Sequence, residues 1–287
     1  MHNNNPHIKG RLRVVFLILP YIFIITIFSL IGMLIADIDL RLKNPDRTVY
    51  QSLILSFFNF LGTLLVLLFF VKFVDNERFI NIGLRLKNKA KDFFAGILCG
   101  LFIMALAYIL LLSLNQIIFL KFSFLPLDLV NVLFLFVFVS LTEELLFRGY
   151  ILRNFMYSFN KTTALIASSL LFSIMHGFNP DFSLFSFINL FLAGILLGIS
   201  YTFTKNLWFP IALHFSWNFF QSLFGFNVSG LDSYSFIEFE IPESNLINGG
   251  EFGFEGSILS IFIQAVLIIC IYLFYNAKTK KKGLTGQ

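Results

Sequence analysis

Charge is scarce in this sequence. Asp, Glu, Lys and Arg make up 13% of its 287 residues, 57% are hydrophobic, and the mean hydropathy is +0.83. Soluble domains carry about 25% charged residues, so a soluble globular class is excluded. Cysteine is limited to Cys99 and Cys270, both within apolar runs, which leaves no secreted disulfide framework and no zinc-finger spacing. Histidine occurs four times, and His2 and His7 lie in the N-terminal tail, so the body of the chain holds only His176 and His214. Internal repeats and a separate soluble domain are also lacking.

What the chain has instead is long apolar runs. A spanning helix needs roughly 20 predominantly apolar residues, and eight candidates follow: Val14 to Ala36, Tyr50 to Val74, Phe93 to Phe119, Leu129 to Phe147, Thr163 to His176, Ser183 to Phe203, Leu207 to Phe226 and Ser257 to Tyr275. The first is too long for the h-region of a signal peptide and lacks a small-residue cleavage site, so it is read as a retained helix. The expected fold is all-α and polytopic, with about eight transmembrane helices. Residues 1–128 hold a tail and three helices, 129–226 a core of four helices, 227–256 an acidic extracytoplasmic loop, and 257–287 the last helix and a basic tail.

The formal charge of +5 is an orientation signal and not a sign of nucleic-acid binding. Eight spans put both termini on one side. The loops of that side, with the tails, carry sixteen Lys and Arg residues, among them Arg78, Arg85, Arg148, Arg153, Lys205 and Lys278, against Arg41, Lys43, Arg47 and Lys121 on the other. By the positive-inside rule both termini are cytoplasmic. The segment Asn227 to Gly256 holds six acidic residues and no Lys or Arg; its glycines Gly249, Gly250, Gly253 and Gly256 read as a mobile cover over the outer face. The asparagine-rich start, Asn3 to Asn5, and the Lys-rich end read as solvated tails, the end suited to anionic lipid.

Ionisable side chains at bilayer depth are costly and mark function by default. The fourth span carries Glu143, Glu144 and Arg148 in LTEELLFRGY, the fifth ends at His176 in LFSIMHGFNP, and the seventh contains His214 and Asn218 in PIALHFSWNFF. Glu144 and Arg148 are one turn apart and can pair. Glu143 points about 100° away and is free to face the histidines. Phe172 shares a face with His176, as His214 does with Asn218. Taken singly, each has a plain structural explanation as a packing pair, a hydrogen-bonded histidine, an interhelical amide or a core ring. Five polar groups on three spans are harder to explain that way. The short fifth span, ended by Gly177, Asn179 and Pro180, also calls for a polar cavity, since broken helices at membrane depth must be buried in protein or line one.

The motifs Glu143-Glu144-x-x-x-Arg148, Phe172-x-x-x-His176 and His214-x-x-x-Asn218, in that order and on those helices, resemble the CAAX-prenyl-protease and bacteriocin-processing family of intramembrane endopeptidases, called CPBP or Abi. The resemblance covers roughly Val130 to Phe226. It implies about eight transmembrane helices around a conical polar cavity and a glutamate-dependent protease, or a role in bacteriocin self-immunity, in a bacterial or archaeal cell membrane. Other membrane proteases lack their signatures here. There is no H-E-x-x-H, Ser229 is without the G-x-S-G context of a rhomboid serine, and Asp232 is without the G-x-G-D context of a presenilin-like aspartate.

The chemistry expected of these residues is peptide hydrolysis. Glu143 is the general base, His176 holds the same water, Glu144 and Arg148 fix the geometry, and His214 with Asn218 donates to the oxyanion. No cofactor is required; the alternative is Zn2+ on Glu143, His176 and His214. The partners are the bilayer and a membrane-associated protein or peptide substrate, with the oligomeric state left open. Two non-protease readings compete, a proton-coupled transporter and a non-catalytic immunity or scaffold protein. Counting along the spans places Glu143 about 6 Å and His176 about 20 Å from the cytoplasmic end. Extending the fourth helix toward Tyr157 removes that conflict and predicts a cavity in the inner half, open to the cytoplasm.

Overall fold

The computed structural model describes residues 9–39, 41 and 47–285, with side chains to 280. His2, His7, Asn3 to Asn5 and Lys43 lie outside the described residues, as do the side chains of Lys281 and Lys282. Each of the eight apolar runs forms a helix: α1 Gly10–Ile35, α2 Val49–Phe69, α3 Ala90–Ser113, α4 Pro126–Glu144, α5 Lys161–Met175, α6 Leu184–Thr204, α7 Trp208–Leu223 and α8 Ile258–Thr285. The starts follow local chemistry. Thr48 and Gln51 form a reciprocal capping box at α2, the Asn160 and Ser183 side chains accept backbone N–H groups at α5 and α6, and Pro126 occupies the first turn of α4, where its missing N–H costs nothing.

Among the described residues six helical stretches are long and apolar enough to cross a bilayer, and the chain is a polytopic all-α membrane protein. The shorter α5 and α7, of 15 and 16 residues, are the ones that carry the histidine motifs. Side chains such as Leu19, Phe23, Phe262 and Ile269 are exposed on α1 and α8, as expected for surfaces that face lipid. α7 is buried along most of its length and packs on α3 through small residues. A Cβ on Gly100 would come within 2.6 Å of Ser216 Oγ, and one on Gly96 within 2.8 Å of the Ala212 Cβ. This close approach lets Ser216 Oγ donate to the Ile97 carbonyl at 2.6 Å, the small-residue packing that lipid-embedded helices favour.

The fourth span does not stop at Phe147. It continues through the wider π turns of Leu145–Leu152 and a last α turn, Arg153–Phe155. This adds roughly 15 to 18 Å beyond Glu143 and brings that residue to the depth of His176, which lies about 22 Å beyond the start of α5 at Lys161. Arg148 is thereby buried inside the protein and is not one of the loop cations, which reduces the basic set to fifteen.

Two further expectations are corrected. The third helix ends at Ser113, not Phe119, because Asn115 takes a left-handed backbone (φ 53°). The β-branched and aromatic run that follows forms β1 Ile118–Phe122, antiparallel to β2 Ile237–Glu240, with Ile118 opposite Glu240 and Phe122 opposite Ile237. Residues 227–256 are not a loose cover. Phe252, Phe254 and Asn248 are buried within this segment, and its glycines serve tight turns. Gly253 has φ 90°, and a Cβ there would collide with the Asn227 carbonyl.

The two ends of the bundle differ. At the end shared by both termini, Asp75 is buried between Arg13 Nη1 at 3.2 Å and Arg153 Nη1 at 3.6 Å, with the Tyr150 hydroxyl donating at 3.4 Å. Burial pushes the Asp75 carboxyl up, and the arginines oppose that shift. The opposite end carries the β1–β2 ribbon and the connections between α1 and α2, α5 and α6, and α7 and α8.

Candidate active site

The last α-helical residues of α4, the end of α5 and the middle of α7 converge below that second end. Adjacent carboxylates on α4 diverge, as the 100° step requires. Glu144 is fully buried, and its Oε1 accepts from Arg148 Nη1 at 2.7 Å and from His214 Nδ1 at 2.8 Å. Arg148 also donates to the Gly194 carbonyl on α6 at 3.1 Å. Its guanidinium lies over the Phe172 ring, 4.6 Å from the centroid, so the buried charge has a carboxylate, a carbonyl and a π face around it.

Glu143 faces the histidines. Its Oε2 lies 3.8 Å from His176 Nε2 and 3.7 Å from His214 Nε2, and it has no hydrogen-bond partner among the described residues. His176 caps α5, and its Nδ1 is 2.8 Å from the Phe172 carbonyl. A carbonyl only accepts, so Nδ1 carries hydrogen and Nε2 is left to face Glu143. The same holds for His214, whose Nδ1–H is committed to the Glu144 carboxylate. The Phe172 ring packs against both imidazoles, with centroid separations of 4.7 Å to His176 and 6.2 Å to His214. Asn218, one turn beyond His214, is buried and lines the same cavity. All seven sequence-predicted site residues are therefore brought together.

The zinc alternative needs Glu143, His176 and His214 to close on one ion. Bonds of about 2.0 to 2.2 Å in a tetrahedron set donor pairs about 3.3 to 3.6 Å apart, and the Glu143 pairs, at 3.8 Å to His176 and 3.7 Å to His214, are slightly wider. Among the described residues no group of three or more His, Cys, Asp or Glu is placed to hold a metal ion. Glu143, His176 and His214 are donor types that zinc takes, at separations slightly wider than the ion sets.

The cavity has a volume of about 910 Å³. Its deep wall includes the buried Leu146 and Phe147 in the π turns that follow α4 and Leu197 on α6, and its rim includes the exposed Arg47, Asp181, Asp232 and Glu251. The mouth is therefore at the end opposite the termini, which corrects the expected opening toward the basic end. The reason is that α5 ends at the site itself. His176 is its cap, and Asn179 to Asp181 run directly into the rim.

The sequence reading missed a sixth polar group. Glu255, placed in the acidic loop, is buried and lines the cavity, and its Oε2 accepts from the Ser229 backbone N–H at 2.8 Å and from the Ser229 hydroxyl at 2.6 Å. Burial pushes the Glu255 carboxyl up, opposed first by the Ser229 hydroxyl and then by His176. The left-handed Ser229 (φ 51°) is held further by Asn179 Nδ2, which donates to its carbonyl at 3.0 Å. The only signal in the sequence was one acid of six standing immediately before a span.

Residues 125–220 match the Rce1-like family, described as type II CAAX prenyl endopeptidase Rce1-like. The matched segment spans α4 to α7 and contains every residue of the three motifs, in agreement with the resemblance drawn from them. Comparison with curated proteins and with solved structures gave no match. The family match supports an intramembrane endopeptidase of the CAAX-protease type.

Proposed function

We propose that this chain, whose central segment matches the type II CAAX prenyl endopeptidases, hydrolyses a peptide bond with a water activated by Glu143. The observation that carries the reading is the position of one carboxylate oxygen, Glu143 Oε2, within 4 Å of the Nε2 atoms of both histidines. These gaps are too long for direct hydrogen bonds and suit a water that bridges the groups. Such a water gives one proton to Glu143 and is held through its other hydrogen by His176 Nε2. Its oxygen adds to the peptide carbonyl carbon. Glu143 then returns the proton to the departing amine, leaving a carboxylate and an amine with no covalent intermediate. A positioned base of this kind contributes about 10²- to 10⁴-fold.

The tetrahedral oxyanion needs donors. Asn218 offers its amide N–H. His214 can donate from Nε2 only as imidazolium, because its Nδ1–H is already given to Glu144; Glu144 is the counter-charge for that state. Each such donor is worth about 3 to 4 kcal/mol in the transition state. Arg148 and Phe172 are positioning residues. Arg148 neutralises Glu144, and Phe172 spaces the two imidazoles.

The test is cleavage of a peptide and membrane-protein library by the purified protein in detergent, read by mass spectrometry, with Glu143→Ala in parallel. Products found with the parent chain and missing with the variant support the reading. Identical products from both would remove it. Activity that survives exhaustive chelation supports the metal-free chemistry, and loss restored by added zinc would overturn it.

A further inference from the structure

We infer that the cavity takes its substrate from the extracytoplasmic side, as a cationic polypeptide segment; this rests on the endopeptidase reading above. Three observations lead there. First, the rim is built from the α1–α2, α5–α6 and α7–α8 connections, represented by Arg47, Asp181 and Asp232. With the eight helices running alternately up and down, all of these lie at the end away from both termini. Second, the terminal side carries fifteen Lys and Arg residues besides Arg148, with Arg13 and Arg153 buried among them, against four, so by the positive-inside rule the rim is outside. Third, the way through to the basic end is filled. Below the site lie the Glu144–Arg148 pair and the buried Tyr150, Ile151 and Leu152, and beyond them Asp75 is clasped by Arg13 and Arg153. A cytoplasmic chain end would have to cross that packed layer to reach Glu143.

The charge of the lining selects among outside polypeptides. At the exposed rim Asp181, Asp232 and Glu251 stand against Arg47, the one Lys or Arg among the described lining residues, and Glu143 lies deeper. A cleft with an excess of one sign in low-dielectric walls concentrates ligands of the opposite sign, with gains of ten- to a thousandfold in encounter rate. Lys or Arg residues flanking the scissile bond would meet this field on entry. The reaction itself is unchanged. Water adds across the peptide bond and the amine leaves with the returned proton.

The two halves of this inference are tested separately. In a Cys99→Ala, Cys270→Ala background, Asp232→Cys should react with a membrane-impermeant maleimide on intact cells, and Lys87→Cys only after permeabilisation; the reverse pattern would overturn the sidedness. In detergent, fluorogenic peptides flanked by Lys and Arg should be cut at least about tenfold faster at low salt than the same peptides flanked by Glu and Asp. The preference should shrink with added salt and with the exposed-rim variant Asp181→Asn, Asp232→Asn, Glu251→Gln. Equal rates, or a preference for the acidic set, would overturn the charge assignment. If neither set nor any library peptide is cut while the labelling is as expected, the endopeptidase reading and its substrate fall, and the outward mouth stands on the labelling.

Discussion

Glu144 Oε1 and His214 Nδ1 meet at 2.8 Å across two helices and 70 positions of sequence. This contact joins the carboxylate that neutralises Arg148 to the imidazole that faces Glu143. It gives Glu144 a part in the fold and in the proposed chemistry, although Glu143 is the carboxylate that faces both Nε2 atoms.

Glu144→Gln should therefore fail twice. It leaves the Arg148 guanidinium buried without its counter-charge, a loss of about 3 to 5 kcal/mol when one member of a buried pair is removed, and it withdraws support from the His214 imidazolium. Thermal unfolding in detergent should show the first effect, and turnover of whatever folds should show the second. Adding Arg148→Met to Glu144→Gln should restore part of the stability and none of the activity, a non-additivity that a double-mutant cycle measures.

Asn218→Ala should lower kcat by about 10² to 10³, the usual cost of one oxyanion donor, with KM nearly unchanged. Steady-state kinetics on a cleavable peptide separate the two. A rise in KM at constant kcat would place Asn218 in substrate binding instead.

Glu255 gives a pH signature. Its carboxyl is raised in the folded state from an ordinary value of 4.5 by burial, so the folded protein holds this proton more tightly than the unfolded chain. The stability it contributes is full below pH 4.5 and declines as pH rises through the raised value. Glu255→Gln should flatten that decline while keeping an acceptor for Ser229. The check is the melting temperature from pH 4.5 to 8 for both proteins; parallel curves would contradict it.

Gly100→Val should destabilise by about 1 to 3 kcal/mol or more, since a Cβ at 2.6 Å from Ser216 Oγ pushes α7 off α3. His214 and Asn218 ride on α7, so activity should fall with stability. Gly177→Ala, whose nearest contact is 3.1 Å from a carbonyl within its own turn, should be far milder in the same thermal assay.

Much of this was legible in the sequence because membrane insertion simplifies the physics. Twenty-residue apolar runs must be helices, and the few polar groups among them must face one another, which is why Glu143, Glu144, Arg148, His176, His214 and Asn218 stood out by depth and spacing, with Phe172 added by the resemblance of the three motifs to a known family. Three things were not legible. The π turns after Glu144 hold one glycine, Gly149, and no proline, so the continuation of α4 was seen only through the depth conflict it resolves. Strand β1 follows an apolar helix without a change in hydropathy, and only Asn115 marks the break. The contact of Glu255 with Ser229 spans a segment whose glycines look like flexibility from sequence and are turn positions in the fold. The direction of the mouth was missed for a related reason. It depends on where α5 ends relative to the site, and periodicity does not report that.

The central claim is that Glu143 activates the attacking water, and the most direct measurement is single-turnover cleavage by the purified protein against Glu143→Gln. The substitution keeps size and hydrogen bonding while removing the base. The account predicts a fold that melts within a few degrees of the parent and a cleavage rate lower by at least about 10². A Glu143→Gln protein that cuts the same bond at the parental rate would contradict it.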